Sequence, residues 1–315
     1  MLLSLHRPVG ALLLGAFLHG AAAAQGVADA APLALAEVAP GVYVHAGRIE
    51  DWLPGNGGDI ANLGFVVGSR CVAVIDSGGT PQLGQRWRAA IERTTRVPIC
   101  FVINTHAHPD HVLGNAAFAG PDTRFVAGAK FSAALSAREP YFLNALARDF
   151  GVHATHDAMV YPTLTVDGTR ELDLGDRVLV LRAWPTAHTD NDLTVYDRRT
   201  RTLFASDLLF AQHIPVVDGS LRGWLAVMQD LAAIDAARVV PGHGPISDDW
   251  PAALKPQQEY LETLRRETRA ALKAGKTLPQ AVDSVGIEAA THWQLADRFH
   301  RRNVTAAFAE LEWED

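Results

Sequence analysis

The chain has 315 residues, 48% hydrophobic and 20% charged, with a formal net charge of −7. This is the composition of a globular protein with room for one large domain or two small ones. The acidic excess provides no polyanion-binding surface, which excludes nucleic acid as the expected partner and leaves a small-molecule substrate.

In chain order, His6 and Arg7 precede an apolar run from Val9 to Leu18, followed by small residues Ala21 to Ala24. This is the order of a secretory signal with cleavage near Ala24, and the run is too short to span a bilayer comfortably. It predicts a signal peptide over 1–24 and a periplasmic or secreted mature protein. Residues 25–40 are expected to be a loose lead-in, and 41–315 a single domain, since no linker-like stretch follows residue 40. Gly41 to His45, Leu63 to Val67 and Cys71 to Asp76 read as strands, the last two forming a hairpin turned at Gly68-Ser-Arg70. Thr80 is a good N-cap and Pro81 a good first helical residue, and Leu83, Trp87 and Ile91 recur at helical spacing to about Arg93. Val97 to Ile103 reads as a buried strand. Cys71 and Cys100 are the only cysteines, and an oxidising compartment would allow a disulfide between their two strands.

Directly after that strand comes Asn104-Thr-His-Ala-His-Pro-Asp-His-Val-Leu-Gly-Asn115. Three histidines and an aspartate within six positions are hard to explain as packing, because burying them together is costly unless they are paired or bind a cation. In the extended part, residues two apart point the same way, so His106 and His108 can share one metal. Asp110 and His111 lie past the bend and can face a second. A helix is expected to start over Val112 to Phe118, and Ala129 to Phe150 reads as helical with a break at Pro140.

The second half repeats the theme. Leu164 to Val166, Arg170 to Leu172 and Val178 to Trp184 read as strands, and Asp192 to Tyr196 and Thr202 to Ala205 as a hairpin around the charged turn 197–201. Helices are expected over Leu221 to Ala236 and Pro251 to Ala274, the latter irregular at Pro256, with a short strand at Arg238 to Val240 between them and more helix in the tail. Two halves of strands plus helix predict two sheets packed face to face with helices outside. His188, Asp207 and His243 each fall just beyond a strand.

His-x-His-x-Asp-His, then His188-Thr189, Ser206-Asp207 and Gly242-His243-Gly244, together resemble the metallo-β-lactamase-fold superfamily from about Val42 to about Gly244. The resemblance implies an α/β fold, an αββα four-layer sandwich with the site on one edge. It implies a first metal held by His106, His108 and His188, a second by Asp110, His111 and His243, and Asp207 between them. Asp76 matches a position that supports the ligands, where it would accept a hydrogen bond from a ligand imidazole and fix its tautomer. Five histidines and two carboxylates without a thiolate suit two zinc ions per chain, with iron or manganese as alternatives. The expected chemistry is hydrolysis of an ester, thioester, lactone or related bond by a water shared between the metals, with Asp110 the catalytic carboxylate that orients it. One major class of metallo-β-lactamases carries Cys, and another Ser, where this chain has Asp207, so the Asp points toward thioesterase, lactonase and phosphodiesterase members. Asn56-Gly-Gly-Asp-Ile-Ala-Asn-Leu-Gly-Phe65 and Ile214-Pro-Val-Val-Asp-Gly-Ser-Leu-Arg-Gly-Trp224 are similar to the exported branch of quinoprotein relay system zinc metallohydrolases, related to SoxH, which implies a functional link to periplasmic quinoprotein alcohol oxidation or to sulfur oxidation. Asp59, Tyr141, Trp184, Asn191 and His213 are candidate substrate contacts, lying in stretches expected to border the site. The rival readings are a metallo-β-lactamase, a mononuclear iron dioxygenase acting on persulfides, and a non-catalytic metal-dependent accessory protein.

Overall fold

The computed structural model describes residues 33–314; the segment 1–24 expected to be a signal peptide lies outside the described residues. Two mixed sheets stack face to face. The first runs, in spatial order, β1 (Ala36–Ala39), β2 (Val42–His45), β3 (Leu63–Val67), β4 (Val72–Ile75), β5 (Ile99–Ile103), β6 (Arg124–Gly128) and β7 (Leu164–Val166). Its pairs are antiparallel up to β4 and parallel from β4 to β7. The second holds β8 (Thr169–Asp173), β9 (Val178–Ala183), β10 (Leu193–Asp197), β11 (Thr202–Phe210) and β12 (Arg238–His243), antiparallel except for the β11–β12 pair.

Strand periodicity decides which side chains make which layer, since alternate residues face opposite sides. On β4 and β5, Ala73, Ile75, Phe101 and Ile103 enter the core between the sheets with Leu179, Leu181, Leu193, Val195 and Phe204. The residues in alternation with them, Val72, Val74 and Val102, face outward and meet Leu83, Trp87 and Ile91 of α1 (Pro81–Thr94). That helix starts as its sequence requires, with the Thr80 side chain accepting from the Leu83 amide and proline at the first turn. The second sheet's outer face, through Leu203, Ala205 and Val239, packs on α4 (Leu221–Ala232), α5 (Lys255–Lys273) and, after the short helices α6 (Leu278–Val282) and α7 (Ile287–Ala290), α8 (Ala296–Leu311). The result is helix, sheet, sheet, helix. Each fully buried Leu, Ile or Phe contributes about 1.5–3 kcal/mol, and this apolar interior supports a polar cluster at the sheet edge. Arg177, buried in the β8–β9 turn, ties the two sheets: its guanidinium donates to the carbonyls of Pro40, Gly41 and Val67 and lies 3.2 Å from the Asp197 carboxylate.

Several expectations are corrected. The lead-in is not structureless at its end, because Ala36–Ala39 adds an antiparallel edge strand. No helix grows over Val112 to Phe118. The chain makes one helical turn, α2 (Pro109–Val112), and then a 3-10 turn at Asn115–Phe118. The turn's backbone is consumed by its neighbours: the His111 carbonyl accepts from the Ser77 amide, the Gly114 amide donates to Gly78, and the Asn104 and Asn115 amides bond each other reciprocally. α3 (Phe131–Phe150) passes through Pro140 without a break; that residue is exposed, so water can satisfy the carbonyl that loses its helical donor. Strand β6 was not expected at all.

Cys71 and Cys100 are bonded, their Cα atoms 5.5 Å apart, within the range a disulfide spans. Closing a loop with a sequence separation of 29 residues stabilises the fold by about 3.6 kcal/mol in the chain-entropy account. Native protein is therefore expected to present no thiol to a labelling reagent until reduced, and the Cys71→Ser, Cys100→Ser double variant to unfold at lower urea; two reactive thiols in unreduced native protein would contradict the pairing.

Candidate metal centre

Every candidate ligand projects from one edge of the sandwich. His106 and His108 lie on the turn after β5, Asp110 and His111 in α2, His188 in the loop between β9 and β10, Asp207 within β11, and His243 at the end of β12. Two groups of ligand atoms form, each within 4.8 Å: His106, His108, His188 and Asp207, and Asp110, His111 and His243. Asp207 reaches both. Its Oδ2 lies 3.3 Å from His188 Nε2, 3.7 Å from His106 Nε2 and 3.4 Å from His243 Nε2, and its Oδ1 lies 3.2 Å from His111 Nε2. Asp110 Oδ2 lies 3.3 Å from His243 Nε2 and 3.4 Å from His111 Nε2. A β-bulge around Ser206 turns Asp207 toward the edge, and Gly242 leaves room for it: a Cβ there would stand 1.8 Å from Asp207 Oδ1.

The hydrogen bonds on the outer nitrogens fix which nitrogen of each ring faces inward. His188 Nδ1 donates to the Val216 carbonyl at 2.7 Å, His243 Nδ1 to the Ile60 carbonyl at 3.0 Å, and His111 Nδ1 to Asp76 Oδ2 at 2.8 Å. His106 Nδ1 donates to Thr105 Oγ1 at 3.2 Å, and that hydroxyl donates to Asp76 Oδ2. Asp76 thus supports one ligand from each group. His108 is turned the other way, Nε2 donating to Asp218 Oδ2 at 2.9 Å, so that Nδ1 faces inward.

These assignments test whether cations fit. His188 Nε2 and His108 Nδ1 stand 3.1 Å apart, yet each ring has already committed its proton outward. Burial, followed by the nearby His108, pushes His188 down to about 3, so it is neutral. Two lone pairs therefore face each other, an arrangement that a shared Lewis acid relieves. His106 Nε2, His111 Nε2 and Asp207 Oδ1 are buried without any hydrogen bond, and such orphaned groups are costly in a native interior. Burial disfavours charge on His111 and His243, but the carboxylates of Asp110 and Asp207 outweigh it and hold His111 well above its ordinary range and His243 up at about 9. Burial likewise opposes the Asp110 and Asp207 carboxylates, which the same imidazoles hold far below theirs. Protons thus sit where divalent cations would replace them. The donor set fits such ions.

A cleft of about 440 Å³ opens over the cluster. Of the expected substrate contacts, His213 and Tyr141 line it. His213 is buried, and burial with the adjacent His243 lowers it to about 4; Tyr141 is 63% exposed at the rim. Asp59, Trp184 and Asn191 do not line it. Asp59 is bonded to His45, the Trp184 indole donates to Thr194 Oγ1, and Asn191 Oδ1 accepts from the Ala107 amide and so holds the turn between His106 and His108.

Sequence reasoning missed Asn62, Thr105 and Asp218. The Asn62 side chain donates to the carbonyls of Pro241 and Gly244, 2.8 Å each, bracketing His243. Both Asn62 and Asp218 lie inside the two stretches singled out for other reasons, 56–65 and 214–224. Each stretch supplies a backbone carbonyl to a ligand imidazole and a side chain that braces the turn or ring beside it. The signal was present, and its role as a brace was not read.

A sequence model of the Metallo-beta-lactamase superfamily matches residues 56–243, more than half of the chain, and the chain belongs to that superfamily, which includes metal-dependent hydrolases. It is 23% identical over 216 residues to Beta-lactamase-like protein 2 homolog of Caenorhabditis elegans, a match that covers 67% of this chain and 64% of that protein, so it spans less than two thirds of that relative's length. Among solved structures it is similar to a metallo-beta-lactamase from Pontibacter korlensis, with a TM-score of 0.60 and 18% identity over 73% of this chain and 99% of that one. It is also similar to a metallo beta lactamase from Hirschia baltica, with a TM-score of 0.57 and 17% identity over 73% of this chain and 98% of that one. A stereoselective inverting sec-alkylsulfatase from Pseudomonas sp. gives a TM-score of 0.64 and 16% identity over 89% of this chain and 50% of that one. At these identities the structures speak to the fold, and they agree with the four-layer arrangement.

Two outcomes are expected. Asp76→Asn tolerates the left-handed backbone there (φ 59°) but exchanges one acceptor oxygen for a donor, and it should weaken metal binding about 10–100-fold, read by competition with a chelator while circular dichroism stays unchanged. The second concerns the loop that carries Ile60. His45 Nε2 lies 2.7 Å from Asp59 Oδ1 and its Nδ1 2.9 Å from the Ala34 carbonyl, so both nitrogens face acceptors, a setting that favours the imidazolium. Burial opposes that charge, and the Asp59 hydrogen bond and charge overcome it and raise His45. The stabilisation is therefore full below the ordinary His value of about 6.5 and is lost as pH rises through the raised value. Urea unfolding at a series of pH values should show wild type losing stability across that window and His45→Gln losing less.

Proposed function

We propose that the chain is a binuclear metal-dependent hydrolase, with zinc in both sites, that cleaves an ester, thioester, lactone or related bond. The observation that carries this reading is the Asp207 carboxylate within 3.2–3.7 Å of inward nitrogens from both ligand groups. His106, His108 and His188 would hold one cation, Asp110, His111 and His243 the other, and Asp207 both. When bound, such a pair supplies Lewis acidity to the scissile carbonyl and makes a shared water acidic near neutral pH. Five imidazoles and two carboxylates are donors that zinc accepts readily.

The protein's own groups do the rest. The Asp110 carboxylate, which lines the cleft, accepts a hydrogen bond from the attacking water and orients it, and the proton the water releases passes to the leaving oxygen or sulfur. Asp76, Thr105 and Asp218 hold the ligand rings in one orientation, so no reorganisation is required as charge develops. Trp52, Phe142 and Phe299 wall the cleft and exclude bulk water around the reacting bond.

Export is part of the proposal, and the Cys71–Cys100 disulfide supports an oxidising compartment. A link to an exported quinoprotein or sulfur-oxidation system rests on the loop sequences 56–65 and 214–224.

Elemental analysis of protein purified without exposure to affinity-column metal should find about two zinc per chain. Asp110→Ala should lose about a hundredfold or more in turnover of a thioester and lactone panel, and His108→Ala should retain less metal. Full activity in Asp110→Ala, or one iron per chain with oxygen uptake, would remove the hydrolase assignment.

A further inference from the structure

At the mouth of the cleft, two arginines from helices far apart in sequence converge on one carboxylate. Arg138 of α3 donates through Nη2 to Asp218 Oδ2 at 2.7 Å, and Arg302 of α8 donates through Nη2 to Asp218 Oδ1. Both guanidiniums are about half exposed and both line the cleft beside His108, His188 and Asp207. Each has five N–H donors in a rigid fork, and Asp218 uses only part of that capacity. Asp218 also accepts a hydrogen bond from His108 Nε2, and the two guanidiniums outnumber the one carboxylate they share. The acidic lining residues outside the ligand set are engaged elsewhere: Asp51 pairs with Arg298, and Glu50 accepts from Asn56 Nδ2.

From this arrangement the geometry points to an anion-recognition site: Arg138 and Arg302 bind a carboxylate, sulfonate or phosphate group of the substrate, remote from the bond that is cleaved. Asp218 holds the two forks in place in advance, which reduces the ordering cost on binding, and charge-assisted paired hydrogen bonds are the strong kind. Tyr141, Phe142, Trp52 and Phe299 line the same cleft and provide apolar surface for the body between the anion and the scissile group. The substrate is therefore a small amphipathic anion. A neutral molecule of the same shape leaves the two guanidiniums unanswered. This inference rests on the hydrolase reading for its substrate, and on the arginine pair alone for its anion.

Benzenesulfonate and its neutral isostere benzenesulfonamide serve as probes, titrated calorimetrically into metal-loaded and chelator-stripped protein. Wild type should bind benzenesulfonate in both forms, more weakly as salt rises. Arg138→Met and Arg302→Met should each weaken it about tenfold with metal content unchanged, and benzenesulfonamide binding to the stripped protein should be indifferent to both changes. Arg302→Lys, which keeps the charge but not the fork, should recover part of the loss. Equal benzenesulfonate binding by wild type and the double arginine variant would overturn the site, as would parallel losses for the neutral probe, which would mean that the arginines only buttress Asp218. In kinetics on esters, the arginine variants should raise KM for a carboxylate-bearing ester while sparing its neutral methyl ester. Arginine-dependent sulfonate binding without turnover of any ester would uphold this site and remove the hydrolase reading; turnover with indifferent binding would do the reverse.

Discussion

The site depends on one constraint: an imidazole has two nitrogens, and a neutral ring has one proton to place. At each of the five histidines a fixed acceptor takes that proton from outside. The acceptors are the Val216 and Ile60 carbonyls, Asp76, Thr105 and Asp218. What remains inside, once the protons that Asp110 and Asp207 hold on His111 and His243 are displaced, is a ring of lone pairs around two carboxylates, an arrangement that is unfavourable by itself and favourable around cations. The loops of the molecule serve this inversion. The Gly-rich segment after β2 brings Ile60 and Asn62, and the segment after β11 brings Val216 and Asp218. Neither is a ligand loop, and without them the ligands could turn to satisfy one another.

Two strained backbone positions lie at the same place. Asp76 and Ser206 are among the few non-glycine residues with positive φ, at 59° and 48°, where an L-residue costs on the order of 1 kcal/mol or more. The first directly follows β4 and the second precedes Asp207 in β11, so one strained residue adjoins or lies in each sheet. The Thr105 hydroxyl joins them, donating to Asp76 Oδ2 and lying 2.7 Å from Ser206 Oγ. Such conformations persist when the surroundings leave no alternative. Here the surroundings are the apolar interior between the sheets, which fixes the strands on both sides of the edge.

Much of this was legible in the sequence, for identifiable reasons. Metal ligation demands particular residue types at short spacing, so His106, His108, Asp110 and His111 stand out from any apolar background. Glycine on both sides of His243 marks a crowded turn, and Gly242 is where Asp207 needs the space. Long amphipathic helices such as α1 and α5 carry their period openly. Strand β6 was not legible, because a five-residue parallel strand buried on both faces has no alternation to read. Nor was the arrested helix after His111: the local residues permit a helix, and the competing hydrogen bonds to Ser77 and Gly78 come from a loop more than thirty positions earlier. Asp59, Trp184 and Asn191 were assigned to the cleft because their stretches approach the site, which they do. Proximity in sequence to a ligand says nothing about which side of the backbone a side chain takes, and these three face inward to brace.

Asp218 illustrates why support residues stay hidden while organising the most. In the sequence it is a lone acidic residue in the loop between β11 and α4. In the fold it accepts from a ligand ring and from two guanidiniums, and those interactions overcome burial to hold its carboxylate well below the usual range. A carboxylate so engaged cannot rotate to serve one partner without releasing another. The orientation of His108 and the presentation of Arg138 and Arg302 at the cleft are therefore one geometric fact, not two. Whatever occupies the arginine forks lies one shared side chain away from a ligand ring, so the surface that selects a molecule and the centre that acts on it are braced by the same carboxylate.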